Sequence, residues 1–196
     1  RRNKMNDKHA QTDRTKQPYS QTIHRIKALK DFDEIKKGDI GGWIESENNL
    51  SQSERCWVSD NGCVFDNGCV TGNGRVFDNG RVFDNGQVSD NGHVSGNGCV
   101  LDNGCVSGNA CVSGNGEISG MGLVKSDGDY IVIQGFGTKQ RSTTFFRCSD
   151  GLVRTQCGCF YGTIDEFREQ VKNTRDGKVA KEYLLAADMM EVHFAK

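Results

Sequence analysis

The sequence predicts a mainly β fold built around a triangular parallel β-helix, with an N-terminal cap and a small C-terminal α+β domain. The main observation is a six-residue unit that repeats from Trp57 to Gly122: a β-branched residue, a variable residue, Asp or Gly, nearly always Asn, a small residue and another variable one. The β-branched positions keep one register without a gap: Val58, Val64, Val70, Val76, Val82, Val88, Val94, Val100, Val106, Val112, Ile118 and Val124. An uninterrupted period of six residues is typical of a parallel β-helix. Three units per turn would make these twelve units about four coils.

The composition agrees with a thin coil rather than a disordered chain. Only 35% of the residues are hydrophobic, but there are 25 glycines, most of them in the repeat. The valines are expected to point inward, and the position two residues before each valine should be an inward corner with room only for a small side chain. Asn and Gly fit the turns because both tolerate left-handed backbone angles.

The repeat resembles the hexapeptide-repeat proteins, on the residues of the units from Val58 onward. The resemblance implies a left-handed helix with a triangular cross-section. The best-known members are trimeric acyltransferases with a site at the subunit seam, where a histidine acts as general base. His93 is the one histidine of this repeat and the residue that such a site would use. No loop interrupts the twelve units, however, and no phosphate-binding glycine loop is visible, so no cofactor is expected.

The outward residues of the repeat suggest an interaction surface. Residues 18 apart should stack in neighbouring coils, which places Phe65, Phe83 and Leu101 in one vertical stripe. An exposed apolar stripe usually marks a surface that something covers. We expect either self-association or partner binding, or else covering by the flanking segments of the same chain. The proposed interface residues are Trp57, Phe65, Phe77, Phe83 and Leu101.

The flanking segments are expected to close the ends of the solenoid, because open strand edges need a cap. Residues 1–21 carry six Lys/Arg and two Asp and are predicted to be a disordered polar leader. Residues 22–55 are predicted to form the cap and lead-in strand before the β-helix of residues 56–128. In this segment Ile40 is in register with the later valines.

Residues 129–196 have no six-residue period and are predicted to form a small α+β module. Tyr130 to Gln134 reads as a strand, and Thr143 to Cys148 with Leu152 to Cys157 as a hairpin. Thr163-Ile-Asp-Glu166 is a capping box that starts a helix through Lys172. A second helix is expected from Val179 to Phe194.

The nine cysteines are expected to be reduced thiols. No two cysteines of the repeat are 18 residues apart, so stacked coils cannot pair them in a disulfide ladder. Cys157-Gly-Cys159, with Cys148 and His193, has enough ligands for zinc. The hairpin, however, separates Cys148 from Cys157, so buried thiols are the preferred interpretation and no metal is expected.

The flanking segments resemble those of largely uncharacterised bacterial and bacteriophage hexapeptide-repeat proteins. The residues that carry this resemblance are Lys37-Gly-Asp-Ile-Gly-Gly-Trp-Ile-Glu-Ser-Glu47 and Cys157-Gly-Cys-Phe-Tyr-Gly-Thr-Ile-Asp-Glu-Phe167. The resemblance implies a cytoplasmic, often phage-associated protein and brings no catalytic residues. No apolar run is long enough to span a membrane, which agrees with a cytoplasmic location.

The favoured function is therefore a non-catalytic scaffold that binds a protein partner or another copy of itself, as a dimer or trimer. The alternative is an acetyl-CoA-dependent acyltransferase that uses His93. Nucleic acid is an unlikely partner, because residues 56–124 carry seven acids and only Arg75 and Arg81 as bases.

Overall fold

The chain forms a parallel β-solenoid of about five turns that carries a small C-terminal module of two helices and an antiparallel sheet. A computed structural model describes residues 7–17, 20–137 and 140–195. The solenoid confirms the predicted fold class, with one coil more than the repeat alone indicated.

The wall of the solenoid consists of short strands stacked in three parallel sheets. The strands are β4 (Trp57–Val58), β5 (Cys63–Val64), β6 (Cys69–Val70), β7 (Arg75–Val76), β8 (Arg81–Val82), β9 (Gln87–Val88), β10 (His93–Val94), β11 (Cys99–Val100), β12 (Cys105–Val106), β13 (Cys111–Val112), β14 (Glu117–Ile118) and β15 (Leu123–Val124). Each strand pairs with the one three positions later, so residues 18 apart are neighbours, such as Val64 and Val82. Every third strand therefore belongs to the same face.

The interior is filled by the valines and leaves room only for small corner residues. The side chains of Val64, Val82 and Val100 are 0% exposed. A Cβ atom added at Gly86 would lie 2.5 Å from the carbonyl oxygen of Val100. Because a backbone atom in that position cannot move aside, the corner excludes larger residues.

The turns use left-handed backbone angles as expected, but Asp or Gly occupies these positions, and the expectation that Asn would do so was wrong. Asp78 has φ of 54°, and the equivalent residue in the next coil is Gly96 with φ of 57°. The carboxylate of Asp78 accepts a hydrogen bond from the backbone N–H of Gly96 at 3.1 Å. This contact satisfies a turn N–H and helps to offset the cost of a left-handed Asp.

The first coil lies before the regular repeat, which accounts for the additional turn. Strand β3 (Ile40–Ile44) pairs with β5 so that Ile44 lies beside Val64, and Leu50 forms an isolated bridge with Val70. Both offsets are 20 residues instead of 18. The segment does start the first coil, as expected, but Ile44 is 0% exposed and Ile40 is 47% exposed, so Ile40 was the wrong residue for the inward position. The two additional residues follow Leu50, because Trp57 and Arg75 already pair at an offset of 18.

The N-terminal segment is ordered over much of the predicted leader. Strand β1 (His9–Lys16) pairs antiparallel with β2 (Ile23–Ala28), and β2 pairs antiparallel with β3. The prediction of disorder was therefore wrong for residues 9–16. Polar partners explain the order, because the backbone N–H groups of Lys8 and His9 both donate to the side-chain oxygen of Gln52. Residues 1–6, 18 and 19 lie outside the described residues.

The C-terminal module has a four-stranded antiparallel sheet and two helices. The sheet follows chain order: β16 (Tyr130–Phe136), β17 (Arg141–Arg147), β18 (Val153–Cys157) and β19 (Phe160–Thr163). Helix α1 (Ile164–Thr174) begins with the predicted capping box, in which Thr163 and Glu166 bond reciprocally. Helix α2 (Gly177–Phe194) begins two residues earlier than predicted. The module core includes Phe145, Phe167, Tyr183, Ala187 and Met190.

The module closes the last coil of the solenoid with side chains that bond to its free backbone groups. The hydroxyl of Tyr130 donates to the carbonyl of Cys111 at 2.8 Å and accepts from the N–H of Ser113 at 3.1 Å. Thr144 accepts from the N–H of Glu117, and Tyr161 accepts from the N–H of Met121. Because the last strands have no further coil to pair with, these bonds replace the missing ladder.

Candidate functional site

The Phe65 stripe is partly covered by the chain itself. Phe65 is only 2% exposed and packs with Ile23 and Cys63, with Trp43 and Phe83 at the border of the cluster. The N-terminal hairpin therefore covers the upper part of the stripe, as the alternative of intramolecular covering predicted. Phe83 and Leu101 stay partly exposed.

Trp57 and Phe77, two other proposed interface residues, also differ from each other in exposure. Trp57 is 3% exposed, and its ring meets the ring of Phe32 edge-on at 5.4 Å. Phe77 is partly exposed and lies edge-on to His93 at 6.2 Å. Trp57 and Phe65 are thus core residues of the capped solenoid and cannot offer a free surface. The repeat predicts that both side chains lie on the outer surface of the solenoid, because it does not show which residues the N-terminal segment covers.

His93 lies in a shallow cleft between the solenoid and the N-terminal cap. Its neighbours in the ladder are Arg75 and Cys111, as the stacking of residues 18 apart predicted. The cleft has a volume of about 470 Å³, and Glu34, Ile35, Trp57, Asp60 and Phe77 also line it.

The surroundings of His93 favour the neutral form of its imidazole. Burial lowers the pKa of His93, the nearby Arg75 guanidinium lowers it further, and Asp127 opposes both. Arg75 is itself held by Asp33 at 3.0 Å and Glu34 at 3.1 Å. A neutral imidazole can accept a proton, so His93 could act as a general base, provided that a substrate reaches it.

The cysteines are unpaired thiols, and most of them are at least partly buried. All nine are free thiols in the structure. Burial raises the pKa of five of them, so these thiols stay protonated at neutral pH and are poor nucleophiles: Cys56, Cys69, Cys99, Cys105 and Cys148.

The possible zinc ligands of the C-terminal module are dispersed. Over residues 7–17, 20–137 and 140–195, no three His, Cys, Asp or Glu side chains come together as a metal site. Cys148 is buried beside the last coil and forms an isolated β-bridge with Gly122. Cys157 instead accepts a hydrogen bond from the hydroxyl of Thr143 at 3.1 Å. His193 lies 3.2 Å from the carbonyl of Gly128. Cys159 is exposed, so the expectation of a buried thiol fails at that position.

Helix α2 presents an apolar surface that the sequence analysis missed. Leu185, Met189 and Val192 are 68%, 53% and 78% exposed. Their spacing of four and three residues places them on one side of the helix. The opposite side carries Tyr183 and Met190, which are buried in the module core. The sequence contained the signal for this surface, because the apolar residues of α2 lie on both sides of the helix, whereas a helix with one buried face needs them on only one.

Comparison with known proteins gives a short stretch of similarity. No family model matches the chain. A 42-residue stretch is 36% identical to the Escherichia coli (strain K12) protein described as "Uncharacterized acetyltransferase YdcK". The match covers 21% of this chain and 13% of that protein, far less than two thirds of its length. In the described part of the chain, no helix has the length and apolar character needed to cross a bilayer.

Proposed function

We propose that this protein is a non-catalytic scaffold that presents its C-terminal module to a protein surface. The observation that carries the proposal is the two-sided apolar character of α2. A helix with apolar side chains on both sides is normally buried on both sides. Here one side lies in the module core, and Leu185, Met189 and Val192 lie in solvent. An apolar surface of this kind on a folded protein usually marks an interaction site.

The construction of the solenoid supports a presenting role. Its inward positions are valines with 0% exposure, and its coils are joined by regular backbone hydrogen bonds such as Phe83 N–H to Val100 carbonyl at 3.0 Å. A filled interior makes a stiff body. Phe77, Phe83 and Leu101 add partly exposed apolar area along the wall.

The proposed occupant is either another copy of this chain, in a dimer or trimer, or a host protein. The resemblance to bacteriophage proteins supports a phage-encoded chain that acts on a host protein in the host cytoplasm. In both cases the exposed side of α2 is the surface that the partner covers.

A triple variant of the exposed α2 surface tests the scaffold proposal. We expect Leu185→Ser with Met189→Ser and Val192→Ser to reduce the mass measured by light scattering, or to abolish capture of a defined partner protein by crosslinking. Leu152→Ser is the matched control, because Leu152 is 49% exposed and lies between β17 and β18 rather than on α2. A wild-type protein that is monomeric and captures the same proteins as the triple variant would contradict the proposal.

An acyltransferase is the second candidate, favoured by the cleft at His93 and by the similarity to a protein described as an acetyltransferase. In that function a neutral His93 would accept the proton of the acceptor group, and a neighbouring subunit would supply the second wall of the site. Calorimetry with acetyl-CoA separates the two candidates. Binding by the wild type that is lost in His93→Ala would favour the enzyme, and no binding by the wild type would remove it.

A further inference from the structure

The C-terminal module contains a cavity that the scaffold function does not use. It has a volume of about 500 Å³ and lies between helix α1, the start of α2 and the sheet. This volume falls within the range of small-molecule sites. Cys157 and Cys159, two free thiols, also line the cavity.

One side of the cavity is an apolar wall with a fixed arrangement of rings. Phe160, Phe167, Val171, Val179 and Tyr183 line it. The ring of Phe167 lies 5.7 Å from that of Tyr183 at 88°, and 5.5 Å from that of Phe160. Phe167 and Val171 are each 3% exposed, so this wall is formed by well-packed core residues.

Two exposed arginines, Arg141 and Arg175, line the cavity beside this apolar wall. Among the described residues, neither Arg141 nor Arg175 forms an ion pair, although Asp176 also lines the cavity. Arg175 has one hydrogen bond, to the adjacent carbonyl of Thr174 at 2.8 Å.

The other three arginines of the module are paired, which makes these two exceptional. Arg147 bonds to Asp129, Arg154 to Asp150, and Arg168 to Asp165, Asp188 and Glu191. Two cations beside an apolar cavity are therefore available to an anion from outside the chain.

The guanidinium group of Arg141 lies beside the Cys-Gly-Cys turn. Gly158 has φ of +62°, and a Cβ atom added there would lie 2.6 Å from Nη1 of Arg141. The Arg141 guanidinium thus rests directly against the backbone of Gly158. The left-handed backbone angle explains the glycine between the two cysteines, because other residues rarely adopt it.

We propose that this cavity binds a small amphipathic anion, a carboxylate with an apolar chain of about eight carbons. Arg141 and Arg175 would bind the carboxylate by charge-assisted hydrogen bonds, and the chain would lie along Phe160, Phe167, Val171 and Val179. Guanidinium groups suit this role because their planar donors match the two oxygens of a carboxylate. The site is independent of the exposed side of α2.

Octanoate, with 1-octanol as the uncharged probe of the same length, tests the charge and the apolar wall separately. We expect saturable octanoate binding by calorimetry and at least tenfold weaker binding of 1-octanol. Arg141→Gln and Arg175→Gln should each weaken octanoate binding about tenfold, because each removes a hydrogen bond to a charged group. Lys172→Gln is the matched control, since Lys172 is an exposed cation of α1 outside the cavity.

The location of binding is checked by the methyl resonances of Val171 and Val179, which should shift on titration while those of solenoid valines such as Val82 do not. The proposal is overturned if octanoate does not bind, if octanol binds equally well, or if both arginine variants bind like the wild type. Both arginines are exposed, and thermal unfolding of each variant confirms that the fold is retained.

Discussion

The rings of Phe65 and Phe83 stack face to face, with centroids 5.1 Å apart and planes 3° from parallel. They are 18 residues apart and lie in neighbouring coils of one face, but only Phe65 is buried, because Ile23 of the N-terminal hairpin packs with it. The stripe therefore has two parts. Phe65 joins the hairpin to the solenoid, whereas Phe83 and Leu101 are partly exposed.

Phe65→Ser should destabilise the protein far more than Phe83→Ser. Removal of a buried phenylalanine costs about 3–5 kcal/mol in the free energy of unfolding. For the partly exposed Phe83 we expect about 1 kcal/mol, chiefly from the lost ring contact. Urea unfolding of both variants checks the difference, and equal losses would contradict the view that the hairpin covers only Phe65.

Lys8→Ala should destabilise the N-terminal cap by about 3 kcal/mol. Lys8 is 1% exposed, and its Nζ donates to the carbonyls of Glu54 and Cys56, both at 2.8 Å. Without it these two acceptors lose their donor, at about 1–3 kcal/mol for each group that stays buried. Hydrogen exchange of the β1 and β2 amides should increase before that of the later coils.

Lys16→Ala is the control for this variant. The Lys16 ammonium lies 4.6 Å from the centre of the Trp43 ring at the other end of β1. A cation–π contact of this kind at the surface contributes about 0.5–1 kcal/mol. If Lys8→Ala were no more destabilising than Lys16→Ala, the buried ammonium would not be what holds the cap.

His93→Gln should reduce the dependence of stability on pH below neutrality. Burial and the Arg75 guanidinium lower the pKa of His93 in the folded protein. The unfolded chain, with an ordinary histidine pKa of about 6.5, then binds more protons than the folded one. The stabilisation from His93 is present above about pH 6.5 and is lost as the pH falls through the folded pKa. Urea unfolding at pH 7.5 and 5.0 checks this, and an unchanged pH slope in the variant would count against it.

Tyr130→Phe should loosen the contact between the module and the last coil. The variant keeps the ring but loses the hydroxyl that bonds to the carbonyl of Cys111 and the N–H of Ser113. We expect a loss of about 1–2 kcal/mol in the free energy of unfolding, with faster amide exchange at Ser113. Tyr183→Phe is the control, because its hydroxyl makes a longer bond of 3.4 Å, to Phe136 within the module. Exchange at Ser113 should be unaffected in that variant.

The structure of the repeat region could be predicted from the sequence, because its interactions recur at a fixed spacing along the chain. Residues 18 apart do pair, as Arg75 and His93 show, and the inward valines are buried. The capping box at Thr163 was also predictable, since its bonds to Glu166 span three residues. The Ile40 register was not, because two additional residues between Leu50 and Trp57 shift Ile44 into the inward position.

The candidate sites were less predictable than the fold. Trp57 and Phe65 looked like surface residues, and only the packing of the N-terminal segment shows that they are covered. The exposed side of α2 and the cavity at Arg141 and Arg175 depend on how α1, α2 and the sheet are arranged. No short-range pattern contains that information.

The solenoid, its period, its filled interior and the spacing that keeps its cysteines apart can all be predicted from the repeat. These properties follow from contacts between residues 18 apart, which a fixed period repeats in every coil. Which outward residues remain exposed depends on contacts between distant parts of the chain, which no local pattern contains. These contacts are Ile23 with Phe65, Lys8 with Cys56, and Tyr130 with Cys111. The repeat provides a regular surface, and the two ends of the chain decide which parts of it a partner can reach.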